Sequence, residues 1–512
     1  MAIAFFALLK PKLDARPISG YYDNNKVAKK YFIKSLLTLF FLVLAATAAY
    51  GSFFVWKFHS TGKKISFDVS RNRSFLESVK DLTSDKKLKS WENKERVNIL
   101  LLGVAGEGRA GRNLTDTLMV VSVNLKTNQL ALISIPRDLY VTVPEKNLSM
   151  KINSVYQNAL NSSEKNKQKS AEIVRGAVEE ITSLDMDYYI ILNFDGFQKI
   201  IDSAGGINIT NERDIYDSRY PGSNYSYETF ELEKGFHHLD GATALKYARV
   251  RHGDPEGDFG RAKRQQQILQ SLKNRIFSTR TLLDVFALNN LFDALGENIK
   301  TDIPPEEFES FLELSKKLDT NNINNIVINA WDKGSLLKVS HIFYGGTRAF
   351  VLVPRVGNWS ELREVSQNAF DTNKIQKRRE EIAKENATIA IINASGDEKI
   401  PDKIKKLLKD NLDYKNVISL SDPEKNIEEE TRAYDLSSGQ KPFTLDELAL
   451  KLPAELSAGI SESRRKPLNN IRADIIVVIG KNLIERYNME EDSIEEYRNA
   501  ENTNEYQEFI KD

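Results

Sequence analysis

Hydrophobic and polar positions divide the chain into zones of different period. From Ser35 to Trp56 it reads SLLTLFFLVLAATAAYGSFFVW, an uncharged run long enough as a helix to cross a bilayer core of roughly 30 Å. Tyr31, Phe32, Tyr50 and Trp56 at its ends suit an aromatic belt, and Lys26, Lys29, Lys30 and Lys34 precede it. Long downstream domains translocate regardless of local charge, so the expected orientation is N-terminus inside and the bulk of the chain outside. A cleaved signal peptide is the competing reading. The late start of the run and the lack of an A-x-A site favour a retained anchor, and a buried core helix is the third alternative. Met1–Leu9 is apolar but too short to span.

Residues 57–95 are polar and rich in Lys, Ser and Asp, a stem with one short helical pattern at Phe75–Leu82. At Val97 the pattern changes to VNILLLGVAGEG, LTDTLMVVSVNL and QLALISI, three strands separated by turn residues, the last two forming a hairpin. Helical spacing follows at Ile152–Leu160 and Ala171–Ile181. DYYIILNF is a further strand, followed by helical Phe197–Ser203 and the turn Gly205-Gly206. Asp240 precedes GATALKYARV as an N-cap, and Phe259–Ile276 is a long amphipathic helix. NIVINAW and AFVLVP continue the unit to about residue 370, and the charged KIQKRREEIAK closes it as a solvated helix or linker.

A second, smaller α/β unit occupies 387–482. It has the strand ATIAIINASG, a helix at Pro401–Leu412 and the late strand ADIIVVIGKN, around a polar insertion near 421–470. The expected fold class is mixed α/β: a central mixed β-sheet flanked by helices, preceded by one transmembrane helix and followed by a small α/β domain. The expected divisions are a cytoplasmic segment 1–34, the span 35–56, the stem 57–95, a catalytic domain 96–370, a linker 371–386, the domain 387–482 and an acidic, disordered tail 483–512.

Composition narrows the chemistry. Lys and Arg number 72 and Asp and Glu 72, so no global field draws the chain to nucleic acid, and any anion site must be local. With no cysteine, disulfides, thiolate metal sites and cysteine nucleophiles are excluded. Gly106-x-Gly108-x-x-Gly111 follows a strand but leads into β-branched LTDTLMVVSV rather than a helix. It is therefore a glycine-rich loop and not a dinucleotide fingerprint.

Arginines carry the stronger signal. Arg137 follows a strand in SIPRD, Arg249 and Arg251 end ALKYARVR, and Arg261 and Arg264 open GRAKRQQQILQSLKNRI. The buried stripe of that helix is Ile268, Leu269, Leu272 and Ile276, and stepping back along it reaches Gln265, Arg264 and Arg261. Guanidinium forks meeting at one place suit a multiply charged anion such as pyrophosphate. Taken singly, each arginine reads rather as the partner of Asp138, Asp254 or Asp258 in a structural ion pair, and it is the five of them in three motif-like segments that favour a site. Asp116, at a strand entry in LTDT, is either a hard-metal ligand or a turn cap. Asp258 is either a general base or the N-cap of the following helix. His237, His238 and His252 show no metal-ligand spacing.

Taken in order, NILLLG, LTDT, SIPRD, KINSVY, NFDGFQKIIDSAGGINI, LDGATALKYARVR and GDFGRAKRQQ resemble the LytR-CpsA-Psr family of membrane-anchored wall-polymer transferases. The resemblance covers about 96–370, and residues 387–482 look like the LytR-type C-terminal domain that accompanies it. It implies transfer of a glycopolymer from a polyprenyl-pyrophosphate carrier to peptidoglycan or another wall acceptor, at the cell membrane and without nucleic acid. Arg137, Arg249, Arg251, Arg261 and Arg264 would clamp the pyrophosphate, with Gln265 and Gln266 beside them. Asp116 would ligate Mg2+ or Mn2+, and Asp258 would act as base or orient a clamp arginine. Where the family's first strand ends in Gly-x-Asp, Gly103-Val104 here leads to Ala105, which leaves Glu107 as the replacement carboxylate. Hydrolysis of the same lipid, and a non-catalytic scaffold or regulator, are the alternative functions.

Overall fold

The computed structural model describes residues 53, 56, 57, 60, 61 and 91–492, the latter without 92, 110, 145–146, 164, 223–225, 251–253, 255, 277–292, 294, 297, 305–306, 331–333, 345, 467–471, 488 and 490. The chain divides into two units, Met1–Phe58 and His59–Asp512, and the architecture below is that of the second. Most of the expected span and the short helix at 75–82 lie outside the described residues. Among the described residues no helix is long and apolar enough to cross a membrane.

A six-stranded mixed sheet forms the centre. Its strands are β1 (Arg96–Val104), β2 (Thr115–Asn124), β3 (Gln129–Ile135), β4 (Tyr188–Asn193), β5 (Ile299–Thr301) and β6 (Asp319–Val327), in the order β5-β4-β1-β2-β3-β6. β1 to β3 form an antiparallel meander, with β2 and β3 joined as the expected hairpin. β4 runs parallel to β1, and β6 parallel to β3. Helices cover both faces, which is why β1 is almost continuously apolar.

On one face, helices α1 (Ile152–Ser162) and α2 (Lys167–Thr182) bury Val155, Tyr156, Val174 and Ile181 against Leu100, Leu102, Leu118 and Val120. On the other lie α3 (Phe194–Ser203), α4 (Gly241–Arg249) and α5 (Gly257–Ile276). Asp240 caps α4 as its position predicts, Oδ1 accepting from Thr243 N at 2.7 Å. Asn193 does the same for α3 through Gly196 N at 2.7 Å. The predicted stripe of α5 faces inward: Ile268 is buried, and Leu269 packs beside Met119 and Leu132. Charged Asn373–Glu385 is a helix with no buried residue.

The C-terminal sheet has five strands in the order Asn416–Leu420, Thr388–Asn393, Ile475–Ile479, Arg432–Asp435, Glu455–Ser457. The polar segment near 421–470 is therefore integral: it supplies two strands and the helix Pro442–Lys451. Tyr487, beyond the expected end of this domain, is buried and donates from its hydroxyl to Val356 O at 2.7 Å.

Candidate functional site

The site begins with an irregularity in β2. Gly103 pairs with Thr117 and Val104 with Thr115, so Asp116 is the extra residue of a β-bulge. In a regular strand neighbouring side chains point to opposite faces. Across this bulge, Asp116 and Thr117 both line one cavity, while the Thr115 hydroxyl donates to Asn153 O at 3.2 Å on the α1 side. Bulges re-aim side chains in this way and concentrate near active sites.

Arg137 follows β3 and is fixed at both ends. Its carbonyl accepts from Asn153 N at 3.1 Å, its Nη1 donates to Asp116 Oδ1 at 3.1 Å, and its Nε lies 3.4 Å from Asp138 Oδ2. Asp138 is buried and also accepts from Lys151 Nζ at 2.8 Å. SIPRD and KINSVY thus form one scaffold that holds a single guanidinium. Arg261 Nη2 donates to Asp116 O at 3.2 Å, so the Asp116 bulge touches two arginines.

Arg249 approaches from α4. Its Nη1 donates to the Tyr220 hydroxyl at 3.0 Å, and its Cζ stands 4.6 Å from the Phe194 ring centroid and 5.4 Å from that of Tyr220. Burial pushes the Tyr220 phenol above its ordinary value, against the smaller opposing pull of Arg249. Among the described residues Arg249 has no carboxylate partner, so it is a cation held by aromatic faces and a hydroxyl.

Arg137, Arg249, Arg261, Asp116 and Gln265 line one cavity of about 170 Å³. Leu101, Met119, Leu192, Phe197, Leu245 and Leu269 give it apolar walls. A chamber with guanidiniums at one part and aliphatic side chains around the rest is complementary to an amphipathic anion, because low dielectric strengthens each charge-assisted bond.

Other expected site residues fall elsewhere. Arg264, one turn along the same stripe as Arg261, does not line the cavity. Its Nε donates to Tyr247 O at 3.0 Å, and its other nitrogens bond Asp254 and Val250 O. Gly260 permits this: a Cβ there would overlap the Asp254 carboxylate. Gln266 is buried between strands, donating to Leu132 O, Ser134 Oγ and Ile326 O. Glu107 is exposed, pairs with Arg112 at 3.2 Å and does not line the cavity. Asp258 lies in the first turn of α5, and Arg251 is outside the described residues.

Among the described residues, no group of three or more His, Asp or Glu could hold a metal. The bulge offers one aimed carboxylate, Asp116, with Thr117 beside it. That donor set fits Mg2+, which commonly binds through one or two carboxylates completed by substrate phosphates and water.

Two residues near the cavity were not singled out from the sequence. Asp217 lines the cavity from the hairpin Ile215–Pro221/Tyr227–Leu232. Arg109, in the glycine-rich loop, donates to Asp195 Oδ1 at 2.6 Å and to Ala105 O at 3.1 Å, with its Cζ 5.8 Å from the Phe194 ring. The D-x-R spacing of Asp217 and Arg219 was the available signal for the former, but it sits in a stretch that reads as a polar turn.

Residues 52–346, more than half of the chain, match the model of the LytR_cpsA_psr family. A polyisoprenyl-teichoic acid–peptidoglycan teichoic acid transferase TagU of Enterococcus faecalis is 29% identical over 245 residues, covering 47% of this chain and 73% of that protein. The protein of the same name from Bacillus subtilis is 27% identical over 325 residues, covering 63% and 92%. Among solved structures, B. subtilis TagV is 27% identical with a TM-score of 0.41, covering 55% of this chain and 98% of that one.

Proposed function

This chain belongs to the LytR_cpsA_psr family, and we propose that it is a membrane-anchored phosphotransferase moving a glycopolymer from a polyprenyl-pyrophosphate carrier to peptidoglycan. The observation that carries this reading is Arg249, a cation without a carboxylate partner among the described residues, sharing an apolar-walled cavity with Arg137 and Arg261. The relatives named as teichoic acid transferases support the same reaction class.

In this reading the three guanidiniums bind the diphosphate and the aliphatic walls take the first part of the prenyl chain. Arg251, just past the end of α4, is assigned to the same clamp. Asp116 and substrate phosphate oxygens hold Mg2+ or Mn2+, which supplies Lewis-acid neutralisation of phosphate charge when bound. Arg137, locked by Asp116 and Asp138, needs no reorganisation as charge redistributes, so the contribution of the chain is mainly positioning and electrostatic stabilisation. Asp258, three residues before Arg261, acts on that arginine or on the incoming hydroxyl. Residues 35–56 anchor the chain in the cell membrane with its N-terminus in the cytoplasm.

Purified full-length protein incubated with a lipid-linked glycan, Mg2+ and peptidoglycan tests the proposal. A covalent glycan–peptidoglycan conjugate is the expected product. Release of free glycan phosphate alone would make the protein a hydrolase, and intact donor after long incubation a scaffold.

A further inference from the structure

The hairpin Ile215–Pro221/Tyr227–Leu232 has a bulge of its own. Asp217 pairs with Phe230 and Tyr220 with Glu228, so Ser218 and Arg219 together oppose Thr229. Residues three apart in a regular strand face opposite ways. Here both Asp217 and Tyr220 turn to the buried side, and Tyr220 is only 3% exposed. The Asp217 carboxylate ties this turn, its Oδ1 accepting from Arg219 N at 2.9 Å. The Tyr220 ring packs on Phe230, with centroids 5.9 Å apart. Lys246, one turn before Arg249 on α4, stands 5.8 Å from the same ring and pairs with Glu228 Oε1 at 2.9 Å. Tyr220 therefore sits where the hairpin is fastened to α4.

The arginines around the cavity are held in different ways. Arg137 is paired with Asp116 and Asp138, and Arg264 with Asp254. Arg249 has a phenol and two ring faces instead. A carboxylate on Arg249 would offset its charge and compete with phosphate oxygens for the same N–H groups. A neutral hydroxyl and an aromatic face orient the guanidinium and leave its charge intact. Burial pushes the ionisation of the Tyr220 phenol upward, which keeps the hydroxyl neutral. Among the described residues the Nη1 bond to Tyr220 is the only side-chain hydrogen bond of Arg249, so the rest of its donor fork is left for ligand oxygens.

Building on the transferase reading, we infer that Tyr220 is a positioning residue for the donor diphosphate: its hydroxyl and ring, with the Phe194 face, hold the Arg249 guanidinium at the cavity without neutralising it. The hairpin bulge is what brings Tyr220 to that place.

The test is a double-mutant cycle on the full-length protein with Tyr220→Phe, Arg249→Ala and the pair, read by calorimetric titration with farnesyl pyrophosphate and by transfer kinetics. Tyr220→Phe keeps the ring and removes only the hydroxyl. It should weaken binding by about 10-fold, the worth of a hydrogen bond to a charged group, and raise the donor KM alike, with kcat within about threefold of wild type. In the Arg249→Ala background the same substitution should change affinity by less than about twofold, because Tyr220 acts only through that arginine. Phe194→Leu, which keeps an apolar wall but loses the ring face, should also lose most of its effect on affinity in that background. An equal loss in both backgrounds for Tyr220→Phe overturns the inference in favour of a structural role, and wild-type affinity in Tyr220→Phe overturns it outright. If wild type binds farnesyl pyrophosphate and the cycle is non-additive but no conjugate forms, the transferase reading falls while the placement of Arg249 by Tyr220 stands. Wild type that does not bind farnesyl pyrophosphate overturns both.

Discussion

A Cβ placed on Gly103 would lie 2.8 Å from the Thr117 Cβ, closer than side-chain carbons approach one another. Gly103 is therefore the residue that lets β1 accept the bulge carrying Asp116. Gly103→Ala should cost about 1–3 kcal/mol by overpacking and should lower transfer although no reacting atom is touched. Chemical denaturation alongside the conjugation assay checks both effects. Full activity in this variant would show that the bulge geometry is dispensable.

Asp116→Asn keeps the shape but removes the charge facing Arg137. Arg137 is buried, so its guanidinium loses a charge-assisted bond normally worth about 1.5–3 kcal/mol. The expected outcome is a lower unfolding midpoint together with transfer that no longer responds to Mg2+ concentration. A metal titration of the variant that matches wild type would remove Asp116 from the metal site.

Arg261 and Arg264 are one turn apart on α5 and should behave differently. Arg264→Ala breaks the buried pair with Asp254 and should destabilise by about 3–5 kcal/mol, while folded protein at low temperature still binds donor. Arg261→Ala should lose donor binding with a smaller change in stability. Calorimetry and donor titration on both variants separate the roles, and the opposite pattern would place Arg264 in the clamp.

The glycine-rich loop is tied to α3 by Arg109 and Asp195. Hydrogen bonding from Arg109 holds the Asp195 carboxyl below its ordinary value of 3.8. A lowered folded-state value means that the contribution is fully present above about pH 4 and vanishes as pH falls through the folded value. The stability difference between wild type and Asp195→Asn should therefore stay constant from about pH 8 to 5 and shrink below about 4. A difference that shrinks between 7 and 5 would point to another group.

Much of this was legible in the sequence where periodicity is strong. The stripe of α5, the Asp240 cap and the β2–β3 hairpin all follow from spacing, and that spacing also turns Arg261 inward. It could not separate Arg261 from Arg264, because the difference lies in Asp254, which reaches Arg264 from the preceding loop. Bulges were illegible for a related reason: alternation counts residues, and one extra residue reverses the face of everything beyond it. Asp116 was found through its motif, and Asp217, whose turn chemistry resembles an ordinary loop, was not. The strands Arg432–Asp435 and Glu455–Ser457 were hidden by their shortness and charge.

The central claim is that Arg137, Arg249 and Arg261 bind one diphosphate together. Calorimetric titration of farnesyl pyrophosphate into wild type and the three single alanine variants measures this directly. Loss of each arginine should weaken binding by about 10- to 100-fold, the worth of one charge-assisted contact, with the fold intact. Three variants that bind as tightly as wild type would contradict the account.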